Sequence, residues 1–154
     1  MGYKIELAQV EDAPAILALQ KKAYRSEAEL HNDDSIPPLH QTLESFLDEF
    51  RKGIVLKAVR NEQIIGSVRA FQQGDRSYIG KLIVESAQQN QGIGQALMQA
   101  IEHYFPQARH FELFTGFKSE KNLYLYQKLG YRELRRQTIS DSLILVFLQK
   151  SKKE

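Results

Sequence analysis

One segment constrains the fold more than any other: Leu82-Ile83-Val84-Glu85-Ser86-Ala87-Gln88-Gln89-Asn90-Gln91-Gly92-Ile93-Gly94-Gln95-Ala96-Leu97. It starts apolar, turns polar, and resumes with two glycines and a stripe of Ile93, Leu97 and Ile101 at helical spacing. A strand must therefore hand over to a helix through one short loop, the hallmark of domains that layer helices on a sheet. The first N–H groups of that helix have no acceptor within it and carry the positive end of its dipole. The turn around Gln91–Gln95 is thus a natural anion site. Gly92 and Gly94 bear no Cβ, so a phosphate can approach the backbone closely there.

The rest of the chain supplies the layers. Tyr3, Ile5 and Leu7 alternate with Lys4 and Glu6, the period of a half-buried strand. A helix follows, with Glu11 and Asp12 at its positive end, Pro14 in its first turn, and Ala13, Ile16, Leu17 and Tyr24 as its buried stripe. Residues 25–40, with Glu27, Glu29, Asp33, Asp34 and Pro37-Pro38, read as an acidic, solvated loop. Leu43, Phe46, Leu47 and Phe50 mark an amphipathic helix over 42–52 that ends at Gly53. Three strands, Ile54–Arg60, Ile64–Gln72 and Ser77–Val84, are joined by Asn61-Glu62-Gln63 and Gly74-Asp75 as an antiparallel meander. The helix from Gly92 runs to Tyr104 and stops before Pro106. A strand at Phe111–Thr115, a helix capped by Ser119 and ended by Gly130, and strands over 131–138 and 142–149 complete a β-α-α-β-β-β-α-β-α-β-β order.

At 154 residues this is one mixed α/β domain spanning residues 1–154, without repeats or linkers. The net charge of +2 gives no footprint for nucleic acid, and the basic tail Lys150–Glu154 reads as a frayed terminus. The absence of cysteine excludes a thiol nucleophile, a disulfide scaffold and a thiolate metal site. His31, His40, His103 and His110 lie on different elements without ligand spacing, so no metal is implied. The opening residues Met1–Glu6 lack the apolar run of a signal peptide, and no stretch approaches the about 20 apolar residues that span a bilayer. A cytoplasmic protein that binds neither membrane nor nucleic acid is expected.

Three phosphate-binding turns compete for the glycine segment. A P-loop requires a Lys after its last glycine, and none stands beside Gly94. The dinucleotide fingerprint requires a third glycine where Leu97 stands, and a parallel βαβ unit. Gln89-Asn90-Gln91-Gly92-Ile93-Gly94 instead resembles the Gln/Arg-x-x-Gly-x-Gly/Ala turn of the GNAT superfamily of N-acetyltransferases. Ser119-Glu120-Lys121-Asn122-Leu123-Tyr124-Leu125-Tyr126-Gln127-Lys128-Leu129-Gly130-Tyr131 is similar to the second signature of that family, and the element order matches over nearly all of the chain.

The resemblance implies a single mixed, mostly antiparallel sheet with helices on both faces, and acetyl-coenzyme A as co-substrate. It implies that the strand at Leu82, Ile83 and Val84 splays from its neighbour and pairs with pantetheine through its backbone. Pyrophosphate would sit on the N–H groups of Gln89, Asn90, Gln91, Gly92, Ile93, Gly94 and Gln95. The family places Asn where this chain has Ser119; Asn122 comes one turn later, so either owns the polar contact to the cofactor. Tyr126 would protonate the departing thiolate, since a phenol of pKa about 10 stays protonated at neutral pH. The implied reaction is direct attack of a primary amine, of a small molecule or a peptide, on the thioester. Glu85, Glu112 or water would take the amine's proton. A non-catalytic coenzyme A-binding module is the alternative, and homodimer formation through a sheet edge is left open by the sequence.

Overall fold

The computed structural model describes residues 2–152. β1 (Lys4–Leu7) leads through a 3₁₀ turn at Val10–Asp12 into α1 (Ala13–Leu30), followed by α2 (Pro37–His40) and α3 (Leu43–Lys52). β2 (Ile54–Arg60), β3 (Gln63–Gln73) and β4 (Arg76–Val84) form the expected meander. α4 (Ile93–His103), β5 (His110–Gly116), α5 (Glu120–Lys128), β6 (Arg132–Thr138) and β7 (Ile144–Ser151) complete the chain. The strands make one seven-stranded sheet in the order β1-β2-β3-β4-β5-β7-β6, antiparallel throughout except where β4 meets β5.

Local chemistry explains most of the joints. Asn61 and Glu62 take φ of 51° and 65°, as both central residues of the tightest hairpin turn must, and Arg60 pairs with Gln63 across them. The Thr42 side chain accepts the Ser45 N–H at 3.1 Å and caps α3. The alternation of β2 sends Val55 to one face and Leu56 to the other. Val55 and Ile83 pack under Ala13, Ile16, Leu17 and Phe46 of α1 and α3. Leu56, Ala58, Ile65 and Val68 pack under Ile93, Leu97, Met98 and Ile101 of α4. Each such buried side chain contributes roughly 1.5–3 kcal/mol, so α4 is fixed by its apolar stripe rather than by its propensity.

Two departures from the expected elements share a cause. The segment read as a loop from residue 25 is helical to Leu30, and α2 adds a turn that starts on Pro37. A third apolar cluster, Ala28, Ile36, Leu39 and Leu143, draws this segment onto the start of β7, a contact invisible in a local window. The basic tail, expected to fray, is strand up to Ser151, and Lys152 Nζ donates to the Phe105 and Pro106 carbonyls at 2.9 and 3.1 Å. Lys153 and Glu154 of that tail lie outside the described residues. No described helix is long and apolar enough to cross a membrane.

Candidate functional site

β4 and β5 pair only over Arg76–Tyr78 and His110–Glu112, and then part. Two features force them apart. Lys81 takes φ of 50°, and the register against β3 shifts between Ser67 and Arg69, the signature of a bulge that bends the strand. β5 meanwhile stays paired with β7 as far as Gly116. At the closed end Arg76 Nη1 donates to Glu112 Oε1 at 3.2 Å and also to the Gln149 side chain. Past Tyr78 the β5-facing edge of β4 has no partner strand among the described residues. A backbone edge inside a sheet, left unpaired, is a place for an extended ligand to pair.

The glycine turn stands at the mouth of this gap. Glu85 N–H donates to the Ile65 carbonyl at 2.8 Å, and Gln89 Nε2 donates to the Val84 carbonyl at 3.3 Å. Gly92 precedes α4 in the left-handed conformation, φ 81°, and a Cβ there would meet nothing within 4 Å. The first helical bond is Ala96 N–H to the Gly92 carbonyl at 3.0 Å. The N–H groups of Ile93, Gly94 and Gln95 precede it and point out of the helix end. Gly94 does something different from what the sequence suggested. Its missing Cβ would lie 3.5 Å from Leu125 Cδ2, 3.8 Å from Leu82 Cδ2 and 3.9 Å from Val84 Cγ2. It therefore faces the apolar walls of the gap rather than the helix end alone. Ile83, between Leu82 and Val84, packs on the opposite face of the sheet.

A helix end with unpaired N–H groups thus stands beside an open strand edge. The sequence profile of the acetyltransferase (GNAT) family matches residues 13–131. The chain belongs to the GNAT acetyltransferase family. Solved structures agree in fold. The PaiA N-acetyltransferase of Thermoplasma acidophilum, in complex with coenzyme A, superposes with a TM-score of 0.82 at 14% identity, covering 99% of this chain and 100% of that one. The ribosomal-protein-S18-alanine N-acetyltransferase of Escherichia coli gives 0.79 at 15% identity, covering 97% and 93%. The yncA structure of Salmonella typhimurium, with its cofactor acetyl-CoA, gives 0.78 at 16% identity, covering 100% and 96%. No curated protein matches the chain significantly in sequence.

In this GNAT acetyltransferase the expected side chains gather unevenly. Tyr126 is 6% exposed, with its ring tilted against Tyr131 at 6.1 Å between centroids. Burial pushes its phenol well above the usual range, and the Tyr24 phenol and Glu27 carboxylate push it further. The Tyr24 phenol is pushed up to about 12 by burial and then by Glu27, with Arg69 opposing. Tyr24 and Glu27, both on α1, thus act electrostatically on Tyr126 of α5. Ser119 does not cap α5 with its side chain; it is buried, and its hydroxyl donates to the Glu27 carboxylate. Asn122 Nδ2 donates to Thr115 Oγ1 at 3.4 Å, near the end of β5. Glu112 is held at the closed end by Arg76 and, at 3.6 Å, by Arg135. Glu85 is half-buried at the mouth.

Several polar residues with long-range partners carried no sequence signal. Arg60, at the end of β2, donates to the Gln88 side chain and, at 3.1 Å, to Gln91 Oε1, which brings a guanidinium to the glycine turn. Under α1 and α3, Arg69 of β3 donates to Glu49 Oε1 at 2.9 Å and Gln41 Oε1 at 2.6 Å, and stacks 4.2 Å above the Phe46 ring. Lys81 Nζ, at the bulge, is 3.7 Å from the same carboxylate, and burial and Arg69 hold its ammonium below the usual range. His31 is buried; its Nε2 accepts the Lys118 N–H at 3.2 Å, so its proton sits on Nδ1, 3.0 Å from the Glu27 carbonyl. A Cβ at Gly116 would lie 2.3 Å from that ring, so only glycine lets His31 pack there. Among the described residues no three His, Asp or Glu side chains gather to hold a metal ion.

Proposed function

We propose that this chain, as one domain, moves an acetyl group from acetyl-CoA to a primary amine of a small molecule or peptide, with Tyr126 as general acid. The observation that carries this reading is the gap between β4 and β5, with an open helix N-terminus at its mouth and, on α5, the buried Tyr126 next to Leu125, which lines that gap. The fit to coenzyme A is good by the chemistry of its parts. The open space at Gly92 and the outward N–H groups of α4 suit a pyrophosphate, with Arg60 as a nearby cation. The unpaired edge at Leu82, Ile83 and Val84 suits the two amides of pantetheine, between walls formed by Leu82, Val84 and Leu125. Structural neighbours solved with coenzyme A and acetyl-CoA support the same assignment. A neighbour named for alanine N-acetylation of ribosomal protein S18 supports an amine acceptor.

Acetyl-CoA supplies a thioester whose carbonyl is open to direct attack. The chain's residues do the rest. The turn Gln89–Gln95 and β4 hold and orient, and the apolar walls exclude water. Tyr126 keeps its proton at neutral pH because burial disfavours the phenolate, and gives that proton to the departing sulfur. With the Ser119 hydroxyl engaged by Glu27, Asn122 is the better candidate for a polar contact to the cofactor. The test is a thermal melt with acetyl-CoA, coenzyme A and ATP, followed by an acetyl-transfer screen over small amines, peptides and aminoglycosides. The two coenzyme A species should raise Tm saturably and ATP should not. Tyr126→Phe should keep the acetyl-CoA Kd while kcat falls toward the lower end of about 10²–10⁴-fold. A flat melt at millimolar acetyl-CoA would refute the cofactor, and an unchanged kcat would refute the role of Tyr126.

A further inference from the structure

We infer that Glu27 is the base that takes the proton of the acceptor amine, and that Ser119 is the residue that positions it. The inference rests on the acetyl-transfer reading above. Glu112, one carboxylate that the sequence offered, is tied to Arg76 and Arg135 where the strands are still paired. Glu85 lies past the end of β4, half-buried at the mouth of the gap, with its N–H on the Ile65 carbonyl. Glu27 is half-buried on α1, accepts the Ser119 hydroxyl at the start of α5, and its charge acts on the Tyr126 phenol of that same helix. It reaches that place because α1 continues past residue 25 and because His31, one turn on, is pinned between the Glu27 carbonyl and the Lys118 N–H. The glycine at position 116 makes room for that ring. The contact also gives a physical reason for Ser119, where the family pattern has Asn: a hydroxyl donates to a carboxylate from a short stem, at the start of α5.

The step balances as follows. The Glu27 carboxylate removes one proton from the ammonium form of the acceptor. The neutral nitrogen forms its bond to the acetyl carbon as the C–S bond breaks with its electron pair on sulfur. Tyr126 protonates that sulfur, and the second proton lost by nitrogen restores the phenol. Glu27 releases its proton to solvent, so one proton appears per turnover. The charged and titratable groups on the elements packed around Glu27 include Tyr24 and His31 of α1, Glu49 of α3, Lys118 before α5, Tyr126 of α5, Arg69 of β3 and Lys81 of β4.

The test uses Glu27→Gln, which keeps the shape and an acceptor for Ser119, with Ser119→Ala and Ser119→Thr beside it. At pH 7 Glu27→Gln should lower kcat/KM by about 10²–10³-fold. The loss should shrink as pH approaches that of the free amine's deprotonation, where solution supplies neutral amine. Ser119→Ala should show a smaller loss with the same pH trend, and Ser119→Thr should restore the parent profile. Two readouts do not depend on turnover. Calorimetry should give an unchanged acetyl-CoA Kd, and ultraviolet titration should show Tyr24 of Glu27→Gln, identified by its absence in Tyr24→Phe, ionising at lower pH, because a nearby negative charge is gone. A loss of equal size at every pH, or unmoved tyrosine titration, overturns the role of Glu27 in an active enzyme. A parent that binds acetyl-CoA yet acetylates no amine overturns the acetyl-transfer reading and the base together.

Discussion

Gly94→Ala should make the free protein more stable and the cofactor complex weaker, a pair of opposite signs that packing alone cannot produce. Gly94 lies in the first turn of α4 without positive φ, and the added methyl would meet its nearest neighbours at 3.5–3.9 Å, ordinary contact distances. Replacing helical glycine by alanine then contributes about 0.5 kcal/mol, the low end because the position is in the first turn. For a domain of this size that raises Tm by roughly 1–2 °C. The same methyl enters the space between Leu82, Val84 and Leu125 where pantetheine is proposed to run, and crowding of a fitted space costs about 1–3 kcal/mol. Taking about 1.4 kcal/mol, a tenfold rise in Kd, acetyl-CoA at 100 times the parent Kd would stabilise the parent by about 2.7 kcal/mol and the variant by about 1.4 kcal/mol. One set of melts with and without acetyl-CoA reads both numbers. Gly92→Ala is the control with the contrary pattern in the free protein, since φ of 81° costs a non-glycine residue about 1–2 kcal/mol. A stabilised Gly94→Ala whose acetyl-CoA shift equals the parent's would show that the gap is not where the cofactor lies.

Glu49→Gln should destabilise the fold by about 3 kcal/mol in urea unfolding, because Arg69 is left buried without its carboxylate. That is the low end for breaking a buried pair, as the Glu49 side chain keeps 35% of its surface in solvent; a loss below about 1 kcal/mol would show that Gln41 and Phe46 hold the guanidinium unaided. The fold keeps the Tyr24 phenol neutral up to about 12 while an unfolded phenol ionises near 10.0, so this contribution is intact below pH 10 and is lost as pH rises to 12. Tyr24→Phe should flatten the fall of Tm across that window, and an unchanged slope would refute the burial of the phenol.

What the sequence disclosed was what local pattern controls. The meander showed in alternation and in Asn61-Glu62, the α4 stripe in its spacing, and the glycine turn in two residues that alternatives could not match. The helix through Glu27 and Leu30 was hidden because its acids look like a loop and the partner that orders Ala28, Leu143, is over a hundred positions away. The bulge at Lys81 was hidden because a left-handed lysine has no composition of its own. Arg60 and Arg69 read as ordinary polar residues, and only their long-range partners, Gln91 and Glu49, separate them from the solvated kind; Ser119 read as a cap or a cofactor contact, and its partner Glu27 lies 92 positions away. The dual position of Gly94, at a helix start and on the wall of a gap, required the approach of α5, which the order of elements did not specify.

The three residue pairs that join β4 to β5 have a consequence for how the molecule comes apart. Every other pair of neighbouring strands shares a longer ladder, from four pairs between β1 and β2 to seven between β5 and β7. The sheet is thus two panels with a seam, strands β1 to β4 on one side and β5 to β7 on the other, laced by Arg76 and bridged on one face by α1, whose start packs on the first panel and whose end packs on the second. Partial opening follows the weakest joint, so the backbone amides along the seam should exchange with solvent before those at the middle of either panel. A ligand that lies in the seam and bonds to β4 works as an eighth strand, and it would turn two cooperative units into one.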